Sequence, residues 1–202
     1  MAAADIRLFL SSWLRAPLQI GALLPSSKRL ARAMAAQVDP RHDGVVVELG
    51  PGTGAVTQAL LSRGVHASRL VLIERDPNFC HLLRNRFPGV KVLQGDAILL
   101  QQMLESEDIA RVNTVVSSLP LLSLPFTTQR QILRESFGVM AEDGIFVQFT
   151  YGFRSPVHPV LQRRLALVGH PVARVFRNLP PAVAWQYTQR RKSGTAYPRL
   201  AA

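Results

Sequence analysis

The chain of 202 residues is long enough for one substantial α/β domain, and 48% hydrophobic residues can build a core, which excludes global disorder. Its one cysteine, Cys80, excludes an internal disulfide bond and fits a reducing compartment. The formal net charge of +11 is unevenly spread, because residues 151–202 hold nine Lys or Arg and no Asp or Glu, whereas residues 42–150 hold nine against eleven. Basic flanks of this kind attract an anionic membrane surface or a nucleic acid.

The first 40 residues precede the predicted sheet and begin with an amphipathic pattern. In DIRLFLSSWLRA the apolar residues fall at i, i+3, i+4, i+7 and i+8, on one helical face. These residues are Ile6, Phe9, Leu10, Trp13 and Leu14. The pattern fits a helix packed on its own domain, and it equally fits an interfacial helix on a bilayer with Arg7 and Arg15 at the headgroups. No apolar run reaches the roughly 20 residues of a membrane-spanning helix.

Alternating strands and helices follow in chain order. Short runs rich in Val, Ile and Leu predict buried strands at 45–49, 70–74, 112–117 and 144–150, with a weaker one at 90–94. Helices are predicted at 55–63, 77–87, 97–104 and 127–140, and a turn at 141–144. This alternation predicts a mostly parallel sheet with helices on both faces. After residue 170, HPVARVFRNLP and AVAWQYTQRR predict a terminal antiparallel hairpin.

The stretch VVVELGPGTG, residues 45–54, ends the first predicted strand in a glycine-rich loop. Gly50, Gly52 and Gly54 let the chain turn tightly and bring its backbone close to a ligand. The following helix directs its N-terminus at that ligand. The glycine loop alone leaves the ligand open, because with Ala55 it also satisfies the dinucleotide-binding fingerprint.

Three later features narrow this choice. Glu74 ends the second strand, twenty residues after Gly54, where its carboxylate can accept hydrogen bonds from two ribose hydroxyls. Asp96 follows the third strand and can accept from an adenine amine. The loop SSLPLLSLP, residues 117–125, follows the fourth strand and would border the reacting group. For each acid the alternative is a solvated turn or a helix cap.

Together these features resemble the class I S-adenosylmethionine-dependent methyltransferases. The resemblance implies S-adenosylmethionine as the cofactor and a Rossmann-like domain over residues 41–202, with residues 1–40 as amphipathic helices that dock on a membrane or cover the cofactor. It implies the cofactor contacts Ser26, Ser27, Glu48, Gly50, Gly52, Thr53, Gly54, Glu74, Arg75, Asp96, Ala97 and Ser117. No metal is implied, since the histidines are scattered and no spacing is typical of a metal site.

Two branches of these enzymes resemble the chain most, and the loop after the fourth strand separates them. Ribosomal RNA adenine dimethyltransferases carry Asn-x-Pro-Tyr, whose aromatic ring stacks on the target base. Here the residues are Ser118, Leu119, Pro120 and Leu121, and a base without such a platform loses roughly 1–3 kcal/mol. Bacterial phospholipid N-methyltransferases need no ring for a lipid amine. The segments FLSSWLRAPLQIGALLPSS, QFTYG and RNLPPAVAW are similar to that family.

The resemblance implies methylation of the phosphatidylethanolamine headgroup, as far as phosphatidylcholine, by a cytoplasmic enzyme attached peripherally to the inner face of an anionic membrane. Alternatives are an ornithine-lipid or other aminolipid N-methyltransferase, a ribosomal RNA adenine N6-methyltransferase, and a non-catalytic adaptor that retains the fold. A nicotinamide dehydrogenase is disfavoured, because the chain has no Tyr-x-x-x-Lys pair.

Substrate residues follow from the same resemblance. Ser118 and Leu119 are expected to line the reacting amine, and Tyr151 to act beside it or on the lipid phosphate. Arg154 and Arg177 are expected to hold that phosphate by charge-assisted hydrogen bonds. An alkyl ammonium has a pKa near 10, so only about one molecule in a thousand is reactive at neutral pH unless the site removes its proton.

Overall fold

The computed structural model describes residues 25–176 and 181–190, and these residues form one sheet of seven strands. The strands are β1 Val45–Leu49, β2 Leu70–Glu74, β3 Lys91–Gln94, β4 Val112–Ser117, β5 Met140–Tyr151, β6 Leu167–Val175 and β7 Ala182–Gln189. Their order is β3-β2-β1-β4-β5-β7-β6. β1 to β5 run parallel, and β7 runs antiparallel to both β5 and β6. The carboxyl ends of β1 to β6 therefore share one edge, here called the carboxyl edge, and the opposite one is the amino edge.

Helices cover both faces of the sheet. They are α1 Pro25–Ala35, α2 Ala55–Ser62, α3 Pro77–Arg86, α4 Leu100–Glu105, α5 Phe126–Val139 and α6 Pro159–Arg164. Successive strand residues point to opposite faces, so that Val46 packs with α1 to α3 and Val47 with α4 to α6. Burial on both faces explains why the central strands read as continuous apolar runs. The predicted α/β sheet with its terminal antiparallel hairpin is confirmed.

Two predicted elements differ from the structure. The predicted turn at 141–144 lies inside β5, where the register moves from Val112 opposite Met140 to Thr114 opposite Ile145. The prediction of a turn between the helix and the strand is therefore wrong. The chain forms a bulge at these residues and remains in the sheet. The predicted helix 97–104 divides into a 3₁₀ turn, Ala97–Leu99, and α4.

The helix α1 belongs to the same core as the sheet. Leu30, Ala31, Met34 and Ala35 recur on one face and are buried against α2 and the β5–β7 strands. The amphipathic segment before it lies outside the described residues, and the boundary proposed at residue 40 stays a prediction. Within 25–176 and 181–190 no helix combines the length and apolar character that crossing a bilayer requires.

Candidate active site at the carboxyl edge

The three glycines after β1 all adopt positive φ angles, +64° at Gly50, +55° at Gly52 and +84° at Gly54, but they serve different ends. A Cβ on Gly50 would lie 2.5 Å from Cδ2 of Leu119, and one on Gly54 would overlap Cε2 of Phe87. A Cβ on Gly52 would have no atom of residues 25–176 or 181–190 within 4 Å. The outer glycines therefore permit close packing, while the middle one exposes backbone to open space that a ligand can occupy.

The end of α3 fastens this loop from outside. Nη1 of Arg86 donates to the Thr53 carbonyl oxygen at 2.7 Å, and the same guanidinium lies 5.1 Å from the centroid of the Phe87 ring. The Gly50 amide donates to the Ile73 carbonyl at 2.9 Å. Thr53 is therefore held by Arg86, which in turn packs on Phe87, and the glycine pattern predicts neither residue.

Glu74 lies at the end of β2 with its carboxylate held by backbone amides. Oε2 accepts from the Gly52 amide at 3.0 Å, and Oε1 accepts from the amides of Arg75 and Asp76 at 2.8 and 3.0 Å. The Cys80 thiol donates to the Glu74 carbonyl, which gives this buried cysteine a structural role. Among the described residues Oε2 accepts from this one amide, and it keeps a lone pair that can accept from a hydroxyl.

Asp96 has a structural role as a cap, and its contact with an adenine amine stays a prediction. Oδ1 accepts from the Ile98 amide at 3.2 Å and caps the 3₁₀ turn that buries Ala97. Oδ2 lies 3.9 Å from Nη1 of Arg75, whose side chain is mostly exposed. One carboxylate oxygen is thus structural, and the other remains for a ligand donor.

Glu48 is placed beneath the glycine loop and is fully buried. Its Oε2 accepts from Oγ1 of Thr57 at 2.7 Å, whereas Oε1 has no hydrogen-bond partner among the described residues. Burial raises the pKa of Glu48 to about 8, and the nearby Glu74 carboxylate acts in the same direction. The carboxyl group therefore prefers its neutral form at pH 7, and its contact with a cofactor stays a prediction.

The loop after β4 is held by backbone and by one glutamine of β5. The Ser118 amide donates to the Leu49 carbonyl at 2.9 Å, and the Leu119 amide to Oγ of buried Ser117 at 3.4 Å. Nε2 of Gln148, which pairs opposite Ser117, donates to the Leu119 carbonyl at 2.9 Å. This side chain is 1% exposed, so the bond lies away from water and fixes that carbonyl.

A second glutamine joins this loop to the one after β5. Nε2 of Gln129 donates to the Leu121 carbonyl at 2.9 Å, and its Oε1 accepts from the His158 amide at 3.0 Å. Leu121 is 1% exposed, so this position presents no side chain to a ligand. Nδ1 of His158 accepts from the Val160 amide and caps α6, which supports a structural role for this histidine.

The remaining predicted residues are only partly brought to this site. Tyr151 ends β5, is half-buried, and lies 5.4 Å from the Phe149 ring between centroids. Arg154 is exposed in the loop that follows. Ser26 and Ser27 lie in the first turn of α1 by backbone, and their cofactor contact stays a prediction. Arg177 lies outside the described residues.

The carboxyl edge divides into two halves of different chemistry. We define the acidic half as residues 50–54, 74–76 and 95–99, and the apolar half as residues 118–126, 152–158 and 172–176. The packing of Leu119 on Gly50 joins them. Sequence reasoning missed Gln148 and Gln129, although a glutamine inside the apolar run IFVQFTY was a usable signal. In the described part of the chain no group of three or more His, Cys, Asp or Glu side chains could hold a metal ion.

Comparison with known proteins identifies the family. A family model described as ribosomal RNA adenine dimethylase matches residues 24–137. The ornithine lipid N-methyltransferase of Singulisphaera acidiphila is 37% identical over 186 residues, which are 90% of this chain and 94% of that protein. The ribosomal RNA small subunit methyltransferase A of Synechococcus sp. strain JA-3-3Ab is 44% identical over 71 residues, only 33% of this chain and 24% of that enzyme.

Solved structures agree on the fold. The magnesium protoporphyrin IX methyltransferase of Synechocystis PCC 6803, with bound S-adenosylmethionine, has a TM-score of 0.64 at 10% identity, covering 94% of this chain and all of that one. A glycopeptide N-methyltransferase complexed with S-adenosylmethionine has a TM-score of 0.61 at 15% identity, with 83% of this chain and 96% of that one covered. The chain is therefore a class I S-adenosylmethionine-dependent methyltransferase and belongs to the family that the ribosomal RNA adenine dimethylase model describes.

Proposed function

We propose that this enzyme is an aminolipid N-methyltransferase, with an ornithine lipid as its first candidate substrate. One observation carries the proposal: the likeness to the ornithine lipid N-methyltransferase extends over nearly the full length of both chains, including the apolar half. The sequence led us to expect phosphatidylethanolamine, but the comparisons support only a lipid with an amine headgroup. Phosphatidylethanolamine is therefore the second candidate substrate. We expect the enzyme to work attached peripherally to the cytoplasmic face of a membrane.

The acidic half fits the cofactor. No described residue occupies the space beside Gly52. Glu74 Oε2 can accept from a ribose hydroxyl, and Asp96 Oδ2 can accept from an adenine amine. S-adenosylmethionine, when bound, supplies a methyl group from a positively charged sulfur. The fixed Glu74 carboxylate is already oriented by three amides, so it need not reorganise when it binds the ribose.

The apolar half would receive the amine. Gln148 donates to the Leu119 carbonyl oxygen, which keeps a second lone pair. That lone pair can accept from an N–H of the amine and so orient the lone pair of the amine nitrogen. Segments 118–126, 152–158 and 172–176 contain no Asp or Glu. An amine in these surroundings has no carboxylate to stabilise its charged form, and desolvation lowers its pKa toward the working pH. Loss of the proton before methyl transfer is thereby made easier.

Arg154 is suited to the anionic group of the lipid. An ornithine headgroup offers a carboxylate and phosphatidylethanolamine offers a phosphodiester, and a guanidinium binds either by two parallel hydrogen bonds. Arg154 is exposed in the loop directly after Tyr151, so it can reach a headgroup without disturbing the core. The phosphate role expected for Arg154 from the sequence therefore widens to anion binding in general.

Methylation of ribosomal RNA is the second candidate function, favoured by the family model over residues 24–137. Against it, Leu121 is buried at the position where the RNA enzymes resembled by this chain carry their stacking ring. A base would have to find its platform elsewhere, at a cost of roughly 1–3 kcal/mol.

Methyl transfer to defined acceptors tests the proposal. The enzyme would be incubated with radiolabelled S-adenosylmethionine and, in separate tubes, with vesicles of ornithine lipid, vesicles of phosphatidylethanolamine, or small-subunit ribosomal RNA. We expect the fastest initial rate with ornithine lipid and a slower one with phosphatidylethanolamine. Labelling of RNA alone would contradict the proposal, and labelling of nothing would favour the non-catalytic adaptor.

A further inference from the structure

We propose that the apolar half of the carboxyl edge docks on an anionic lipid surface, with Phe153 and Phe176 inserted among the lipids and Arg154 and Arg174 at the headgroups. The inference rests on the proposed function, because a lipid amine must reach the loops of this half from a bilayer. It assigns the docking to the edge that receives the substrate, independently of any contribution from residues 1–24.

In the described part of the chain, the large hydrophobic side chains that remain exposed are confined to this edge. Among the described residues, five large hydrophobic side chains remain exposed: Leu99 at 49%, Leu122 at 46%, Phe126 at 39%, Phe153 at 65% and Phe176 at 65%. Each follows the carboxyl end of a strand, and all except Leu99 lie in the apolar half. Single exposed hydrophobic residues are ordinary, but several on one edge indicate a surface that meets another apolar phase.

The topology brings the four residues of the apolar half onto one surface. They follow β4, β5 and β6, and the start of β7 lies between the last two strands. The Gly152 amide donates to the Pro181 carbonyl, which ties the loop after β5 to the start of β7, and the Phe126 ring lies 5.4 Å from that of His158. Four adjacent strand ends span about 15 Å, a width that several lipid headgroups would cover.

The charges of the described residues favour an approach of the apolar half to an anionic surface. Arg154 and Arg174 are exposed within the apolar half, which has no acidic residue. Asp76 is exposed in the acidic half, and the other exposed acids of the described residues lie before β1, before β4 and at the start of β5, on the amino edge. Those on the amino edge are Asp39, Asp43, Glu105, Glu107, Asp108, Glu142 and Asp143. The combination of aromatic rings with arginines and no acids matches the interfacial region of an anionic bilayer better than an apolar protein partner.

Site-specific fluorescence tests which face meets the lipid. Cys80 is buried, so single cysteines introduced as Phe153→Cys or Phe176→Cys in the full chain can be labelled with an environment-sensitive dye, with Arg134→Cys on α5 as the control. Vesicles containing phosphatidylglycerol should shift the emission at 153 and 176 to the blue and leave 134 unchanged. Equal responses at all three positions, or none, would overturn the proposal. A dye at 153 already shielded without vesicles would also overturn it, since residues 1–24 or a second copy would then cover this face.

Vesicle cosedimentation gives the energetic test. The double variant F153S/F176S should bind at least tenfold more weakly, because two largely exposed rings no longer enter the lipid. Arg174→Ser should weaken binding about fivefold at low salt, and the matched Arg134→Ser should have a far smaller effect. Undiminished binding of F153S/F176S to the vesicles would contradict the inference.

Activity in detergent micelles separates this inference from the proposed function. Wild-type enzyme should methylate aminolipid presented in detergent micelles, which offer the substrate without an extended anionic surface. An enzyme that methylates micellar lipid but does not dock through this face would refute only the docking. An enzyme that docks through it but transfers no methyl group to any aminolipid would refute only the substrate.

Discussion

The two halves of the carboxyl edge achieve their geometry by different means. The acidic half is fixed by backbone: three glycines at positive φ and a Glu74 carboxylate that accepts from three amides. The apolar half is fixed by side chains, since Gln148 and Gln129 hold the carbonyls of Leu119 and Leu121. A backbone-built half suits a ligand common to the whole fold, whereas a half built by side chains can change with the substrate.

The largest expected effect comes from removing the Glu74 carboxylate. Glu74→Ala should weaken S-adenosylmethionine binding by about 100-fold, because the hydrogen bond from a ribose hydroxyl to a charged group is lost together with the anchor of the Gly52 amide. Isothermal calorimetry measures this directly. Asp39→Ala, on the amino edge, serves as the control and should bind normally. Unchanged affinity in Glu74→Ala would mean that the ribose site lies elsewhere.

Glu48, buried beneath the glycine loop of the acidic half, should make the stability of the fold dependent on pH. The native state keeps a proton on Glu48, whose pKa is raised to about 8, while the unfolded chain loses it above the model-compound value of 4.5. This stabilisation is fully present below pH 4.5 and is lost as the pH rises toward 8. Between pH 5.5 and 7.5 the free energy of unfolding of the wild type should fall by about 2 kcal/mol relative to Glu48→Gln.

Urea denaturation at several pH values measures this difference, and subtracting the variant cancels the other titrating groups. Glu48→Gln keeps an acceptor for Thr57 and is neutral at every pH. Parallel pH profiles for the two proteins would show that Glu48 is ionised in the native state.

In the apolar half, the bond from Gln148 can be broken without touching the acidic half. Gln148→Leu should lower kcat about tenfold, because the Leu119 carbonyl loses one buried hydrogen bond and its fixed position. The affinity for S-adenosylmethionine should stay the same. Gln189→Leu is the matched control, since Gln189 donates to the Leu165 carbonyl at the amino edge. A parallel loss of cofactor affinity would show that the two halves are not separable in this way.

The smallest effect concerns the contact that joins the halves. Gly50→Ala and Leu119→Ala should each destabilise the fold, but the double variant should be about 1 kcal/mol more stable than the sum predicts. Removing Cδ2 of Leu119 makes room for the new Cβ, which would otherwise lie 2.5 Å from it. Gly52→Ala, whose Cβ meets nothing, should show no such coupling with Leu119→Ala. Denaturation of the variants measures the coupling, and strict additivity at Gly50 would rule out the contact.

The difference between the halves also explains what could be predicted from the sequence. β1, β2 and β4 have the predicted bounds, because strands buried on both faces read as continuous apolar runs. The glycines were recognisable because positive φ favours glycine, and Glu74 was recognisable because a charged residue ends an otherwise apolar strand. Gln148 and Phe87 were not recognised, since their roles arise from contacts between residues 29 and 33 positions apart in the chain.

The sequence did not predict the bulge in β5, and it did not distinguish between the two candidate lipid substrates. Glu142 and Asp143 are acidic and precede a glycine, which is typical of a turn, yet the pairing of Met140 and Ile145 with β4 keeps the segment between them in the strand. Phosphatidylethanolamine and ornithine lipid both present a primary amine, so a loop that reads only the amine does not separate them. The anionic group of the headgroup is what differs.

Competition in a single reaction tests the central claim most directly. Wild-type enzyme would be supplied with labelled S-adenosylmethionine, vesicles containing equal amounts of ornithine lipid and phosphatidylethanolamine, and small-subunit ribosomal RNA. Thin-layer separation of the lipid extract and counting of the RNA then divide the label among the three acceptors. We expect most of the label in methylated ornithine lipid and none in RNA. Label found in RNA, with the lipids unmodified, would contradict the account.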